Sequence, residues 1–218
     1  MSMYISRLRL NPYQSARLGM YEEHQALWDL FADHPDRKRD FIYRSLNNSR
    51  FIVISKRSPM DKKNIWNIEL KEYDPKLKSG DRVFFSLRLN AVRKTKDADG
   101  RQVRHDIVQD RRKRLLEEGV SERDLPIRTV VAHDAADEWL RSRENDTGFT
   151  VVTGTLIVDS YQRYQARKKP GSRPIILSVL DLKGFAHVVD SQKAKTTLIQ
   201  GLGCAKGLGC GLMLVRRS

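Results

Sequence analysis

No stretch of the chain reaches the roughly 18 consecutive apolar residues of a membrane-spanning helix. The opening "MSMYISRLRL" alternates polar and apolar residues and brings in Arg7 and Arg9 before any apolar run can form, which is not how a signal peptide is built. Cysteine is scarce as well. Cys204 and Cys210 lie six apart with no histidine beside them, and a zinc site needs four ligands at usable spacing. No metal and no cofactor are therefore expected, and the two thiols read as reduced cytoplasmic cysteines. HExxH, GxSxG and paired-carboxylate patterns are all missing, which leaves metal-dependent and serine hydrolysis without support. Acidic residues are also short, 27 against 41 Lys and Arg, for a net charge of +14. A surplus of that size points to a polyanionic partner rather than a neutral metabolite.

The charge is mixed rather than blocked, and 39% of the 218 residues are apolar, so the chain is a folded basic protein and not a disordered tail. Its first elements read β, α, β, β. Tyr4 to Leu10 form a strand-like stretch; "ARLGMYEEHQALWDLFAD" puts Leu27, Leu30 and Phe31 on one helical face, with Pro35 beyond it; "DFIYRSL" and "RFIVISKR" are strands joined by the turn-prone "NNS". That order is half of a ferredoxin-like fold. "KKNIWNIELKEYD" fits either a degraded helix or an edge strand. "DRVFFSLRLNAVRKTK" alternates strongly, with Val83, Phe85, Leu87, Leu89 and Ala91 on one face and Ser86, Arg88, Asn90 and Lys94 on the other.

From Asp97 the composition turns arginine-rich, and the domain junction is expected there, giving domains 1–96 and 97–218. The second half reads as a charged helix around Arg111 to Glu118, a second helix "AADEWLRSREN", the strand "FTVVTGTLIVD", the basic loop "YQRYQARKKPGSRP", the strand "IILSVLDLKGFAHVV", the helix "SQKAKTTLIQ" and a last strand "CGLMLVRR". The expected fold is thus α+β, two tandem ferredoxin-like (RRM-like) domains with antiparallel sheets.

Between the last helix and the last strand lies "GLGCAKGLGCGLMLV". It is no nucleotide fingerprint: Lys206 stands where G-x-G-x-x-G needs its third glycine, the Walker pattern is absent, and the order helix, loop, strand is the reverse of a phosphate-binding turn. One or two glycines would serve a helix end and a tight turn. Five, with Lys206 among them, favour a loop pressed against a nucleic-acid backbone.

His24 is the first candidate for proton transfer near neutral pH. Tyr21 three residues before it and Trp28 four after it share its helical strip. A histidine and a tyrosine on a basic surface suit RNA cleavage without metal, since RNA supplies its own 2′-hydroxyl nucleophile.

The Y-x-x-H-Q-x-L-W spacing in "YEEHQALWDLF", the terminal "GLGCAKGLGCGLMLV", and "VFFSLRLN" followed by basic residues resemble the CasE (Cse3) family. These are CRISPR repeat-processing endoribonucleases of the type I-E Cascade complex. The resemblance implies that His24 is the catalytic base or acid, that Tyr21 assists at the scissile phosphate, and that the loop touches RNA through Gly203, Lys206 and Gly207. It implies a CRISPR repeat RNA stem-loop as substrate, cut at its 3′ base by 2′-hydroxyl attack to leave a 5′-hydroxyl and a 2′,3′-cyclic or 3′-phosphate. It further implies other Cascade subunits as partners, with no membrane and no nucleotide cofactor. From charge and placement alone, further RNA contacts are expected at Arg88 and Lys94 on the polar strand face, at Arg111, Arg112 and Arg114 on the charged helix, and at Arg163, Arg167, Lys168 and Lys169 in the basic loop. The competing reading is a non-catalytic RNA-binding subunit of the same fold. A DNA-binding regulator is disfavoured because no recognition-helix pattern is present.

Overall fold

The alternation in "YISRLRL" forms strand β1 (Tyr4–Leu10), which buries Leu8 and Leu10 and exposes Arg7 and Arg9. The structure, a computed structural model, describes residues 2–15, 20–34, 36, 38–47, 49–96, 99–166 and 174–218. After β1 come α1 (Pro12–Ser15), α2 (Met20–Asp29), β2 (Phe41–Asn47), β3 (Arg50–Ser55) and β4 (Trp66–Glu72). The four strands make one sheet in the order β2-β3-β1-β4, with every neighbouring pair antiparallel. This is the strand order of a ferredoxin-like sheet, with β3 inserted between the two strands that α2 connects. Leu27, Leu30 and Phe31 pack, as their spacing predicts, onto Leu8, Leu10, Phe41, Tyr43, Phe51 and Val53. The ambiguous segment is resolved as the edge strand β4, whose exposed Asn67, Glu69 and Lys71 alternate with partly covered Trp66 and Ile68.

The second sheet starts earlier in the chain than expected. β5 (Arg82–Asn90) hydrogen-bonds with β10 (Ile175–Val188) and with β11 (Met213–Arg217), not with the first sheet. The boundary therefore falls between Glu72 and Arg82, in a connection that holds Pro75 and Gly80, and not at residues 96 and 97. β5 is the first strand of the second unit. Between β5 and β10 lie the hairpin β6 (Val92–Lys96) and β7 (Gln102–Asp106), helices α3 (Ile107–Glu117), α4 (Arg128–Arg141) and α5 (Glu144–Thr147), and strands β8 (Phe149–Val151) and β9 (Ile157–Ala166). Helix α6 (Ser191–Gln200) and a 3-10 turn at Lys206–Leu208 precede β11. The order β11-β5-β10, with β8 and β9 both on the far side of β10, repeats the ferredoxin-like arrangement. The fold is α+β with two antiparallel sheets, as the element order predicts.

Two expected strands are each broken in two. The run from Asp81 to Lys96 stops at buried Ala91, whose carbonyl accepts from Ile107 and whose amide donates to Ser178, so β6 leaves the sheet to pair with β7. The run from Phe149 to Asp159 stops at Gly154, where φ is 76°. β9 then continues to Ala166, so Arg163 belongs to a strand opposite Ser178 rather than to a loop.

The helix-free face of the first sheet meets the second unit. Ile42 and Ile54 close on Leu212, backed by Ile5, Ile52 and Leu214. Above this contact Arg44 Nη1 donates to Ser86 Oγ at 2.8 Å. Arg44 and Arg88 share Asp181 at 3.9 and 3.5 Å, and Ser160 Oγ donates to the same carboxylate. Leu212 is wholly buried, so Leu212→Ala is expected to cost about 2–5 kcal/mol, measured as a lower urea midpoint with an unchanged slope.

Candidate active site

The glycine loop meets the exposed edge of β2 and the flank of α2. Tyr43 Oη donates to the carbonyl of Gly207 at 3.3 Å. This phenol is buried between the sheet and the loop, and burial, reinforced by the charge of Glu23, raises it far above the ordinary tyrosine range. It stays protonated and pins the 3-10 turn against β2.

Much of the loop's glycine content answers to its own fold. Gly211 sits at φ 90°, and a Cβ there would lie 2.4 Å from the Leu202 carbonyl oxygen; the loop closes on itself through Leu202 N–H donating to the Gly211 carbonyl at 2.8 Å. Gly203 turns its bare Cα toward Leu89 and Trp139, so packing accounts for it. Gly207 is different. Its φ is ordinary, but a Cβ there would stand 2.5 Å from Arg39 Nη1 and 3.7 Å from His24 Cε1. The absent side chain lets histidine and arginine converge on the loop backbone, and this closes the long sequence gap between α2 and the loop before β11.

His24 is half-buried on α2, with its ring 6.1 Å from that of Trp28. Burial, and then the charge of Arg39, hold its pKa below the ordinary histidine value, so the neutral ring, able to accept a proton, predominates at pH 7. Lys206 is pushed down by the same two causes in the same order. Arg39, partly covered by the loop, is lowered by burial but remains a cation. Neither Arg39 nor Lys206 has a carboxylate partner among the described residues. Three groups that carry or accept positive charge thus lie about one short backbone segment, and the charge of Arg39 opposes protonation of the other two. An anion seated there would relieve the repulsion, whereas a metal cation would increase it; among the described residues no cluster of His, Cys, Asp and Glu could ligate one.

The structure brings His24, Lys206 and Gly207 together. Tyr21 lies on α2, but its side chain is outside the described residues, as are Arg167, Lys168 and Lys169. Arg88 has a side chain only 22% exposed and is tied to Asp181, with Nη2 donating to Tyr164 Oη at 3.3 Å. The α3 arginines are engaged too. Arg111 pairs with Glu118, Arg112 with Glu122, and Arg114 grips Glu138 through both terminal nitrogens. Lys94 and Arg163 are exposed. Arg39 and Tyr43 were not anticipated: the first stands in a polar connection like any surface arginine, and the second reads as a core aromatic of β2.

A sequence profile described as "CRISPR associated protein" matches residues 3–217. The chain belongs to that family. The resemblance to the CasE branch is upheld by the Escherichia coli (strain K12) "CRISPR system Cascade subunit CasE", which is 25% identical over 97% of this chain and 98% of its own length. Among solved structures, Thermus thermophilus Cse3 bound to an RNA representing a pre-cleavage complex superposes with a TM-score of 0.73 at 22% identity, covering 99% of this chain and 100% of that one. Escherichia coli Cas6e superposes at 0.58 and 18% identity, covering 97% and 98%. These two share the fold with this member of the family.

Glu23, beside His24 but turned inward, is buried and accepts from Ser45 Oγ at 3.2 Å. Burial pushes its carboxyl up to about 7, against the opposing pull of that hydrogen bond and of Arg88. A folded-state value raised above the unfolded one makes stability complete below about pH 4.5 and progressively lost as pH climbs to about 7. Glu23→Gln is expected to flatten this slope and to exceed the parent by about 1–2 kcal/mol at pH 8, allowing for partial solvation of the site. Urea titrations at pH 4.5, 6 and 8 measure it.

Proposed function

We propose that this chain is a metal-independent endoribonuclease that binds the stem-loop of CRISPR repeat RNA, cuts at its 3′ base, and stays bound to the product as a Cascade subunit. The observation that carries the reading is the convergence of His24, Arg39 and Lys206 on Gly207 without a carboxylate partner for the arginine or the lysine. Membership of the family and the likeness to CasE and Cse3, proteins named for Cascade and for RNA-bound endoribonuclease, support it.

In the proposed reaction the scissile phosphate lies on the loop at Gly207. Neutral His24 takes the proton of the 2′-hydroxyl, the 2′-oxygen bonds to phosphorus, and the bond from phosphorus to the 5′-oxygen breaks. The products are a 2′,3′-cyclic phosphate, open to later hydrolysis to a 3′-phosphate, and a 5′-hydroxyl whose proton comes from water, while the proton held on His24 returns to water and restores the neutral ring. Arg39 and Lys206 face the non-bridging oxygens, where negative charge builds in the transition state. Tyr21 is retained as the group assisting at the phosphate. Tyr43 is a positioning residue that acts through the loop carbonyl.

Incubated with host CRISPR repeat RNA in EDTA, the protein is expected to yield two discrete fragments. His24→Ala should slow cleavage by about 10²–10⁴-fold and Arg39→Ala by about 10²–10³-fold, while a 2′-deoxy substitution upstream of the cut blocks cleavage and spares binding. Uncut RNA, or a His24→Ala rate equal to the parent's, refutes the enzyme and leaves the non-catalytic RNA-binding subunit. Gly207→Ala supplies a separate check on geometry. Its methyl displaces the end of a flexible arginine rather than backbone, so the melting temperature should hold while single-turnover cleavage drops by about tenfold or more, a loss of about 1.4 kcal/mol in transition-state stabilisation.

A further inference from the structure

The glycine loop has a second side. Its residues Cys204, Ala205 and Leu208 line a groove of about 670 Å³ that runs between the β6–β7 hairpin and the β9–β10 pair. Such a volume lies within the usual range of ligand clefts, roughly 300–1,000 Å³. Its lining mixes apolar Val92, Ile176 and Leu208 with polar residues that include Asp106, and Ile176 is 46% exposed. The same lining carries Arg104, Arg128 and Arg163.

These three arginines differ from those of α3. All three are exposed, and none is in an ion pair among the described residues, whereas Arg111, Arg112 and Arg114 each hold a glutamate. The hairpin also places Lys94 directly across from Arg104, a like-charge pair that costs about 0.2–1 kcal/mol in a sheet unless an anion is near. Tyr161 forms part of the wall with Arg128 stacked over its ring at 4.5 Å, and its hydroxyl is held by Asp106 at 2.6 Å. Exposed apolar side chains beside an ordered aromatic, with guanidiniums that no ion pair occupies, suit bases lying flat beneath a phosphate chain. A duplex keeps its bases stacked inside and presents phosphates, which gain nothing from Ile176 and Val92.

We propose that this groove binds the single-stranded RNA on the 3′ side of the cut, received over the glycine loop from the phosphate at Gly207. The inference rests on the proposed function and names a subsite for it. Unpaired RNA held here extends the contact area beyond the stem, and after cleavage the 3′ piece depends on the groove alone, so it departs while the stem stays.

The test uses the full chain and a host CRISPR repeat stem-loop made uncleavable by one 2′-deoxy substitution, with and without six unpaired nucleotides on its 3′ side. The tail is expected to tighten binding by about tenfold. The double variant R104A/R128A is expected to abolish that increment, and a 4-thiouridine in the tail is expected to crosslink to peptides of β7 or β9. A tail increment that survives in the variant overturns the proposal, as does an equal loss for tailed and tailless RNA, which would assign the groove to the stem. Failure to bind either RNA instead refutes the proposed function itself, so the two failures are distinguishable.

Discussion

The seating of the glycine loop against β2 and α2 is the contact on which the candidate chemistry depends. It is made by a buried hydroxyl to a carbonyl, by Gly207 under Arg39 and His24, and by the Ile42, Ile54 and Leu212 cluster beneath. Neither sheet holds the site alone. The first contributes the proton acceptor and a guanidinium; the second contributes a backbone segment and an ammonium. Because the interface is apolar below and charged above, its stability comes mainly from burial, while Arg44, Arg88 and Asp181 fix how the two sheets register.

The charge of the protein is less available than its total implies. A net charge of +14 suggests cations everywhere, yet α3 spends its arginines on glutamates, and Arg88 and Arg44 are drawn into the interface. Among the described residues, cations outside any ion pair stand both at Gly207 and along the groove behind it, with one loop between them. That distribution favours a chain-like polyanion crossing the loop over a compact anion in a single pocket.

Local pattern made most of the elements legible. The alternation of β1 and β5, the apolar stripe of α2 and the glycine-bounded end of α6 appear where the residues predict them, and His24 with the loop stood out as chemistry-bearing. What local pattern could not reveal was partner choice. β5 looks the same whether it joins the first sheet or the second, and only its pairing with β10 and β11 decides the boundary. Arg39 lacked any signal, since its meaning comes from Gly207, which is distant in sequence. The ion pairs that occupy Arg111, Arg112 and Arg114 were hidden for the same reason, as was the continuation of β9 through Arg163, where a basic composition masked a strand that carries Tyr161 and Tyr164 on its two opposite faces.

The bare Cα of Gly207 is a space that two halves of the chain hold in common. Arg39 can lie where it does only while position 207 carries no side chain, and Gly207 gains its purpose only while position 39 carries a long cation. A methyl gained at 207 would leave the fold in place and move the end of Arg39 aside, and with it the charge that the site is built around.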